Sequence, residues 1–386
     1  MNKLASPVPV MLGAPGPVTV IDGKRYLYFA GTGYLGLAGH PEVIKAACAA
    51  VRQYGVHSAT SRTGFGNNPV TLAVERRAAE FFGTEDAFYF SSGYAANHIV
   101  LQGLAGQVDA VFVDDAAHYC LGEAARLLGK PVRSFKHRKP ADLARRLRKE
   151  LPPKQRPLVL TDGVFSVSGA LAPVPDYLRV LRPWEGAVLH LDDAHGFAVL
   201  GEQGRGTLEH FGLWGPNVNG NAANEGVRLT VCGTTAKAIG GFGGIIPGSR
   251  EFLQRVRKAS HYFDGASAPS SADAGATAKA IEIMQRHPEL RRQLQANVAQ
   301  LRSGLRALGL GVADGPAANF SVEIGDAANM RRIHEALKAA GFIVPYVSVY
   351  SGLGPHGALR FAVCALHTPE MIASLLAALR KIGGFP

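Results

Sequence analysis

The chain has 386 residues, 47% of them hydrophobic and 18% charged, and a formal net charge of +11. That length predicts one large domain plus a smaller one, and the apolar content excludes a disordered chain. No apolar run reaches the roughly 18 residues of a membrane span, and Met1–Pro7 lacks the apolar stretch of a secretory leader. Cys48, Cys120, Cys232 and Cys364 are far apart, with no CxxC pair. A reduced, cytoplasmic protein without a bound metal is therefore expected.

Residues 130–156 hold eleven Lys/Arg against Asp142 and Glu150, which leaves +9 in that block. Leu143, Leu147 and Leu151 recur every fourth residue among the arginines, the pattern of an amphipathic helix with a solvated basic face. No aromatics interleave with the charges, so nucleic acid is not expected as a partner.

In chain order, strands are expected at Ala87–Phe90, Ala110–Val113, Leu158–Thr161, Ala187–Leu191, Leu229–Val231 and Gly244–Ile246. Helical periods fall between them at Thr71–Phe82, Ala95–Leu104, Ala141–Leu151, Pro175–Leu181 and Glu251–Ser260. That alternation predicts an α/β domain with a mostly parallel sheet, whose ligands gather at the carboxyl ends of the strands. Beyond residue 271 come helices at Ala272–Gln285 and Glu289–Leu308, then strand-like Phe320–Ile324. A helix near Ala327–Ala340, strands at Phe342–Val349 and Leu359–Val363, and a helix at Pro369–Ile382 complete a smaller α+β domain. The expected division is an N-terminal segment 1–50, a large domain 51–271 and a small domain 272–386.

Almost every chemically suggestive residue follows one of these strands. Lys237 stands between an apolar run and Gly240-Gly241-Phe242-Gly243-Gly244. Burial lowers a lysine's pKa and makes a nucleophilic amine, and glycines let backbone approach a ligand closely. That setting suits a Schiff base with a carbonyl cofactor. Asp192-Asp193-Ala194-His195-Gly196 ends another strand. Side chains alternate along a strand, so only one of the two aspartates points into a given site. Asp192 suits a pyridine nitrogen, His195 a phenolic oxygen or a substrate carbonyl, and His190, on the Asp192 face, a packed core position.

Ser92-Gly93-Tyr94 opens a helix, where free amide hydrogens favour a phosphate, and Thr234 adds a hydroxyl for it. His118 is either a ring-stacking residue or a cap, and Ser166 either a hydroxyl for a ring oxygen or a turn serine.

The order of these motifs resembles pyridoxal-phosphate enzymes of aminotransferase fold type I, within them the α-oxoamine synthases. The motifs are nearest those of 8-amino-7-oxononanoate synthase and 2-amino-3-ketobutyrate CoA ligase. The likeness is carried by Tyr34-Leu35-Gly36-Leu37 with His40-Pro41, by Ser61-Arg62-Thr63-Gly64 with Glu75, and by Ser92-Gly93-Tyr94-Ala95-Ala96-Asn97. Asp192-Asp193-Ala194-His195-Gly196 with Gly201-Glu202-Gln203-Gly204-Arg205-Gly206, and Leu359-Arg360 with Ala365-Leu366-His367-Thr368, extend it. The resemblance implies a cytoplasmic homodimer that condenses an amino acid with an acyl-CoA thioester, with decarboxylation, to an α-aminoketone.

It further implies that Lys237 carries the cofactor and moves the α-proton, and that Asp192 pairs with the ring nitrogen. His118 would stack on the ring, Ser166 and His195 would hold its oxygen side, and Ser92, Gly93, Tyr94 and Thr234 would bind phosphate. Arg360 would clamp the substrate carboxylate, with Thr32 near the substrate. The chain departs from the family pattern at Thr32, Ser168, Thr235 and Asp264. An aminotransferase or amino-acid decarboxylase on the same scaffold, using no acyl-CoA, is the alternative.

Overall fold

Runs of Val, Leu, Ile and Phe with both faces buried assemble into a seven-stranded sheet at the centre of the molecule, here a computed structural model describing residues 8–383. Met1–Pro7, on which the expectation about a secretory leader bears, and residues 384–386 lie outside the described residues. Across the sheet the order is Asp86–Phe90, Gly244–Gly248, Arg228–Thr234, Val188–Asp192, Pro157–Asp162, Ala110–Asp114 and Val132–Phe135. The last five pair in parallel. Gly244–Gly248 runs antiparallel to both its neighbours.

The six expected strands are present, within a few residues of their expected ends. The Lys237 strand runs further than expected, to Thr234. The seventh strand, Val132–Phe135, was not expected. It is an outer strand inside the basic block, and Val132 and Ser134 are exposed, so no apolar alternation marks it. The basic helix forms at Pro140–Glu150 with Leu143 and Leu147 fully buried and Arg145 exposed beside Asp142. Helices Pro41–Tyr54 and Tyr119–Leu127 also had no counterpart in the sequence expectations.

The expected strand Phe342–Val349 is two short strands in different sheets. Phe342–Ile343 pairs in parallel with Lys24–Tyr28, itself hairpinned to Val18–Ile21, whereas Tyr346–Val347 pairs with Ala358–Ala362. Pro345 between them has no N–H to donate and breaks the ladder. Asn319–Val322 lies on the other side of Ala358–Ala362. Tyr34, just past the N-terminal hairpin, and Arg360, on the C-terminal sheet, thereby approach the carboxyl end of the central sheet from outside it.

Candidate active site

Thr234, Asp192, Asp162 and Asp114 are the last residues of four adjacent strands, and Ser91-Ser92 follows a fifth. The ladder sets Asp162 opposite Asp192, and Asp192 opposite Cys232. Above these ends lies a cavity of about 310 Å3 lined by Ser92, Gly93, Tyr94, His118, Cys120, Asp162, Ser166, Asp192, His195, Thr234, Lys237 and Phe242, with Ala194, Ala236 and Gly243. Nine of the sequence-derived candidates thus share one pocket, of a size common for small-molecule sites.

Lys237 sits in the bend after Thr234, and burial lowers the pKa of its amine. Its Nζ is 2.8 Å from His195 Nε2. The protonation of that imidazole follows from its surroundings. Asn319 Nδ2 donates to the carbonyls of Phe165 and Ser166, at 3.1 and 3.0 Å, so Asn319 Oδ1 faces Tyr34. The Tyr34 hydroxyl donates to that Oδ1 at 3.2 Å, which leaves its oxygen to accept from His195 Nδ1 at 2.7 Å. His195 is therefore the Nδ1–H tautomer, and its Nε2 lone pair accepts from Lys237. Burial, and then the Lys237 and Arg360 charges, hold His195 well below the usual histidine pKa, so the ring is neutral. Burial pushes Tyr34 up to about 12, so it keeps its proton.

Parity separates the two aspartates as expected. Asp192 lines the cavity and accepts from Asn97 Nδ2 at 2.6 Å and from the Ala194 amide at 3.0 Å. Asp193 points away and accepts from the backbone N–H and the hydroxyl of Thr207, both at 2.6 Å. Gly163, Gly196 and Gly206 each bring backbone against the Asp193 carboxylate, where a side chain would collide. Asp193 thus ties together the loops around His195, and burial raises its pKa to about 7. His190 is a packed core residue on the Asp192 face, bonded to Thr230 and Asn97.

At the other end of the pocket, the first amides of the Gly93–Ala95 turn, continuous with helix Ala96–Leu104, have no intrahelical acceptor. A Cβ on Gly93 would strike the Thr234 side chain, so glycine is what lets the strand end and the turn converge. The Thr234 hydroxyl donates to Gly243 O at 2.7 Å and accepts from the Ala236 amide at 3.1 Å, bracing the glycine loop. His118 both caps helix Tyr119–Leu127 through Cys120 N and lines the cavity. Ser166 lines the cavity as well, and its carbonyl accepts from Arg360 Nε at 2.9 Å.

Arg360 and Thr32 are not among the lining residues. Arg360 is buried behind Tyr34, donating to Ser166 O, Gly31 O and the Tyr34 hydroxyl. Among the described residues it has no carboxylate in ion-pair range, a buried guanidinium held only by neutral acceptors. Thr32 lines an adjoining cavity of about 220 Å3, which meets the first at Ala236.

The pocket fits pyridoxal phosphate on its own chemistry. It has an amine at one wall, a carboxylate for a ring nitrogen at its floor, a flat histidine, and a helix N-terminus with room for backbone contact. Sequence reasoning gave no site role to Tyr34, Asn97, Cys120, Asp162 or Phe242. Asn97 and Tyr34 stand inside the Ser92–Asn97 and Tyr34–Leu37 motifs, and Asp162 directly follows the expected strand Leu158–Thr161, so position along the chain was the available signal. Asp264, exposed, faces the exposed His261 at 3.7 Å.

A family model for aminotransferase class I and II matches residues 27–379. The 8-amino-7-oxononanoate synthase of Methylococcus capsulatus is 37% identical over 362 residues, covering 93% of this chain and 90% of that protein. A synthase of the same name from a Polaromonas species is 36% identical, covering 97% of this chain and 91% of its own. Serine palmitoyltransferase from S. paucimobilis, solved with a bound PLP–myriocin aldimine, superposes with a TM-score of 0.87 at 28% identity, over 97% of this chain and 92% of that one. The 8-amino-7-oxononanoate synthase of Francisella tularensis, at 20% identity and a TM-score of 0.74, shares the fold over 92% of this chain and 97% of that one. With relatives this similar over nearly its whole length, the chain belongs to the aminotransferase class I and II family, with the pyridoxal-phosphate-dependent fold type I, in its α-oxoamine synthase branch.

Proposed function

We propose that this chain is a pyridoxal-phosphate-dependent acyltransferase that joins an amino acid to an acyl-CoA thioester, releasing CoA and carbon dioxide and leaving an α-aminoketone. The name of its relatives supports that product class, since 8-amino-7-oxononanoate carries an amine beside a ketone. The observation that carries the reading is the placement of Lys237 Nζ against a neutral His195, in one cavity with Asp192.

Bound pyridoxal phosphate supplies an electron-withdrawing ring that stabilises negative charge at the amino acid's α-carbon. Lys237 would hold that group through Nζ and, when its amine is free, would take the α-proton at the same atom. Burial lowers the pKa of its amine and so favours the free lone pair that this needs. His195 accepts from Lys237 and directs its N–H toward Tyr34, so it orients the amine without competing for positive charge. Asp192 would hold a proton on the ring nitrogen. His118 would support the ring, and Ser166 and His195 its oxygen. The amides at Ser92, Gly93 and Tyr94, with Thr234, would hold the phosphate. Arg360 pairs with the substrate carboxylate, its unpaired charge supporting that role. Thr32 borders the space beyond Ala236 and contributes to substrate binding.

We further infer a homodimer, for which exposed Phe242 and Tyr94 on the pocket lining, and exposed Tyr119 beside His118, offer apolar surface. A cytoplasmic setting is supported by four unpaired cysteines, three of them buried. Among the described residues no helix is long and apolar enough to cross a membrane. The division into segment 1–50 and domains 51–271 and 272–386 is retained as part of the same reading.

The deciding experiment is a screen of amino acids with and without a panel of acyl-CoAs, following CoA release and carbon dioxide. Thioester-dependent release of both is expected. Turnover to an oxo acid or an amine without a thioester would instead fit an aminotransferase or decarboxylase on this scaffold.

A further inference from the structure

We propose that Asn97 is a positioning residue for the cofactor's ring nitrogen: its side-chain amide selects Asp192, rather than the adjacent Asp162, as the carboxylate that stays ionised in the pocket. The inference rests on the pyridoxal-phosphate reading of the site.

Asp162 and Asp192 end neighbouring parallel strands, are partners across the ladder, and both line the cavity. Two carboxylates buried side by side do not both stay charged, and the better hydrogen-bonded one keeps the charge. Asp192 accepts from Asn97 Nδ2 at 2.6 Å, from the Ala194 amide at 3.0 Å and, weakly, from Cys120 Sγ at 3.5 Å. Asp162 accepts from the His118 amide at 3.0 Å. Burial, and then the Asp192 charge, raise Asp162 well above the usual carboxylate range, as the asymmetry requires. The other titratable groups around the pair are His118, Cys120, Asp114, Asp193, Tyr350 and, across the pocket, Lys237. His190 and Cys232 stand behind it.

Asn97 can play this part because its amide is held in one orientation. Its Oδ1 accepts from His190 Nε2 at 2.9 Å and from Cys232 Sγ at 3.3 Å, and His190 Nδ1 meets the Thr230 hydroxyl at 3.0 Å. Asn97, His190, Thr230 and Cys232 are all buried, so water cannot replace a lost partner. A flipped Asn97 would set an oxygen against the Asp192 carboxylate and an NH2 against the His190 N–H, losing both bonds. Burial lowers His190 to about 4, which keeps it a neutral donor at physiological pH. The relay from Thr230 through His190 and Asn97 thus ends in an N–H aimed at Asp192.

The test uses full-length enzyme reconstituted with pyridoxal phosphate labelled with nitrogen-15 in the ring, whose chemical shift reports whether that nitrogen is protonated. The variants are Asn97→Leu, His190→Phe and His190→Gln. Wild type should show a protonated ring nitrogen. Asn97→Leu should shift it toward the neutral form and lower kcat by roughly 10- to 100-fold, the loss of one hydrogen bond to a charged group, with the amino-acid KM nearly unchanged. His190→Gln, which keeps an N–H for Asn97 Oδ1, should stay nearer wild type than His190→Phe. A fully protonated ring nitrogen in Asn97→Leu overturns the proposal. Should that variant fail to fold, identical shifts in the two His190 variants overturn it. Borohydride fixation of the cofactor on Lys237 is checked in every sample, and its failure in wild type would refute the functional reading instead.

Discussion

The Tyr34 hydroxyl oxygen stands 2.7 Å from Nδ1 of His195, a residue 161 positions further along the chain. Through that contact the N-terminal segment fixes which imidazole nitrogen faces Lys237. Tyr34→Phe would leave His195 Nδ1–H without an acceptor and Asn319 Oδ1 without a donor. We expect kcat to fall roughly tenfold with cofactor affinity little changed, since of the bonds lost only the one to His195 bears on the amine. Steady-state kinetics against cofactor titration checks it, and an unchanged kcat would contradict the tautomer assignment.

Lys237 is expected to be the residue fixed to the cofactor by borohydride, identified by peptide mapping. Lys237→Ala should lose activity on the order of a thousandfold, because it removes the anchoring amine and the proton acceptor together. Asp192→Ala should lose most activity while retaining the trapped cofactor. Trapping at any other lysine would end this assignment.

Arg360 spends its donors on backbone carbonyls and Tyr34 and retains an unpaired charge. Arg360→Lys should raise the amino-acid KM by roughly 10- to 100-fold, since an ammonium cannot form the two-pronged carboxylate pair. The acyl-CoA KM should move little. Equal changes in both would point to a structural role for the guanidinium.

Gly93→Ala places a methyl group against the Thr234 side chain at the phosphate end of the pocket. The expected outcome is a cofactor dissociation constant raised roughly ten- to hundredfold, together with a lower melting temperature of the apo-protein, because the methyl forces the strand end and the turn apart. Fluorescence titration of apo-enzyme measures the first and thermal unfolding the second.

His367 stacks on Phe29 at 4.1 Å and accepts from the Cys364 amide, and burial lowers its pKa from 6.5 to about 4. A depressed folded pKa means that the unfolded chain takes up the proton first as pH falls. The contribution to stability is full above pH 6.5 and is lost as pH drops toward 4, where it levels off. Over that window the loss amounts to about 3 kcal/mol for this one group. His367→Gln should show a shallower decline in unfolding free energy between pH 6.5 and 4. Parallel curves for variant and wild type would refute it.

Period-two parity, strand-end position and residue type were legible along the chain. They separated Asp192 from Asp193, put Lys237 before a glycine loop, gave Ser92 and Gly93 a helix start, and drew the basic face of Pro140–Glu150. Such properties are local, so the sequence by itself determined them. Only the tertiary structure decided which strands are neighbours, and hence that Asp162 lies beside Asp192. The same assembly turned Tyr34 toward His195, sealed Asn97 between His190 and Asp192, and set Arg360 behind the pocket without an acid. Hydrogen-bond direction and the choice between two carboxylates depend on partners brought together by folding, and no spacing along the chain records them.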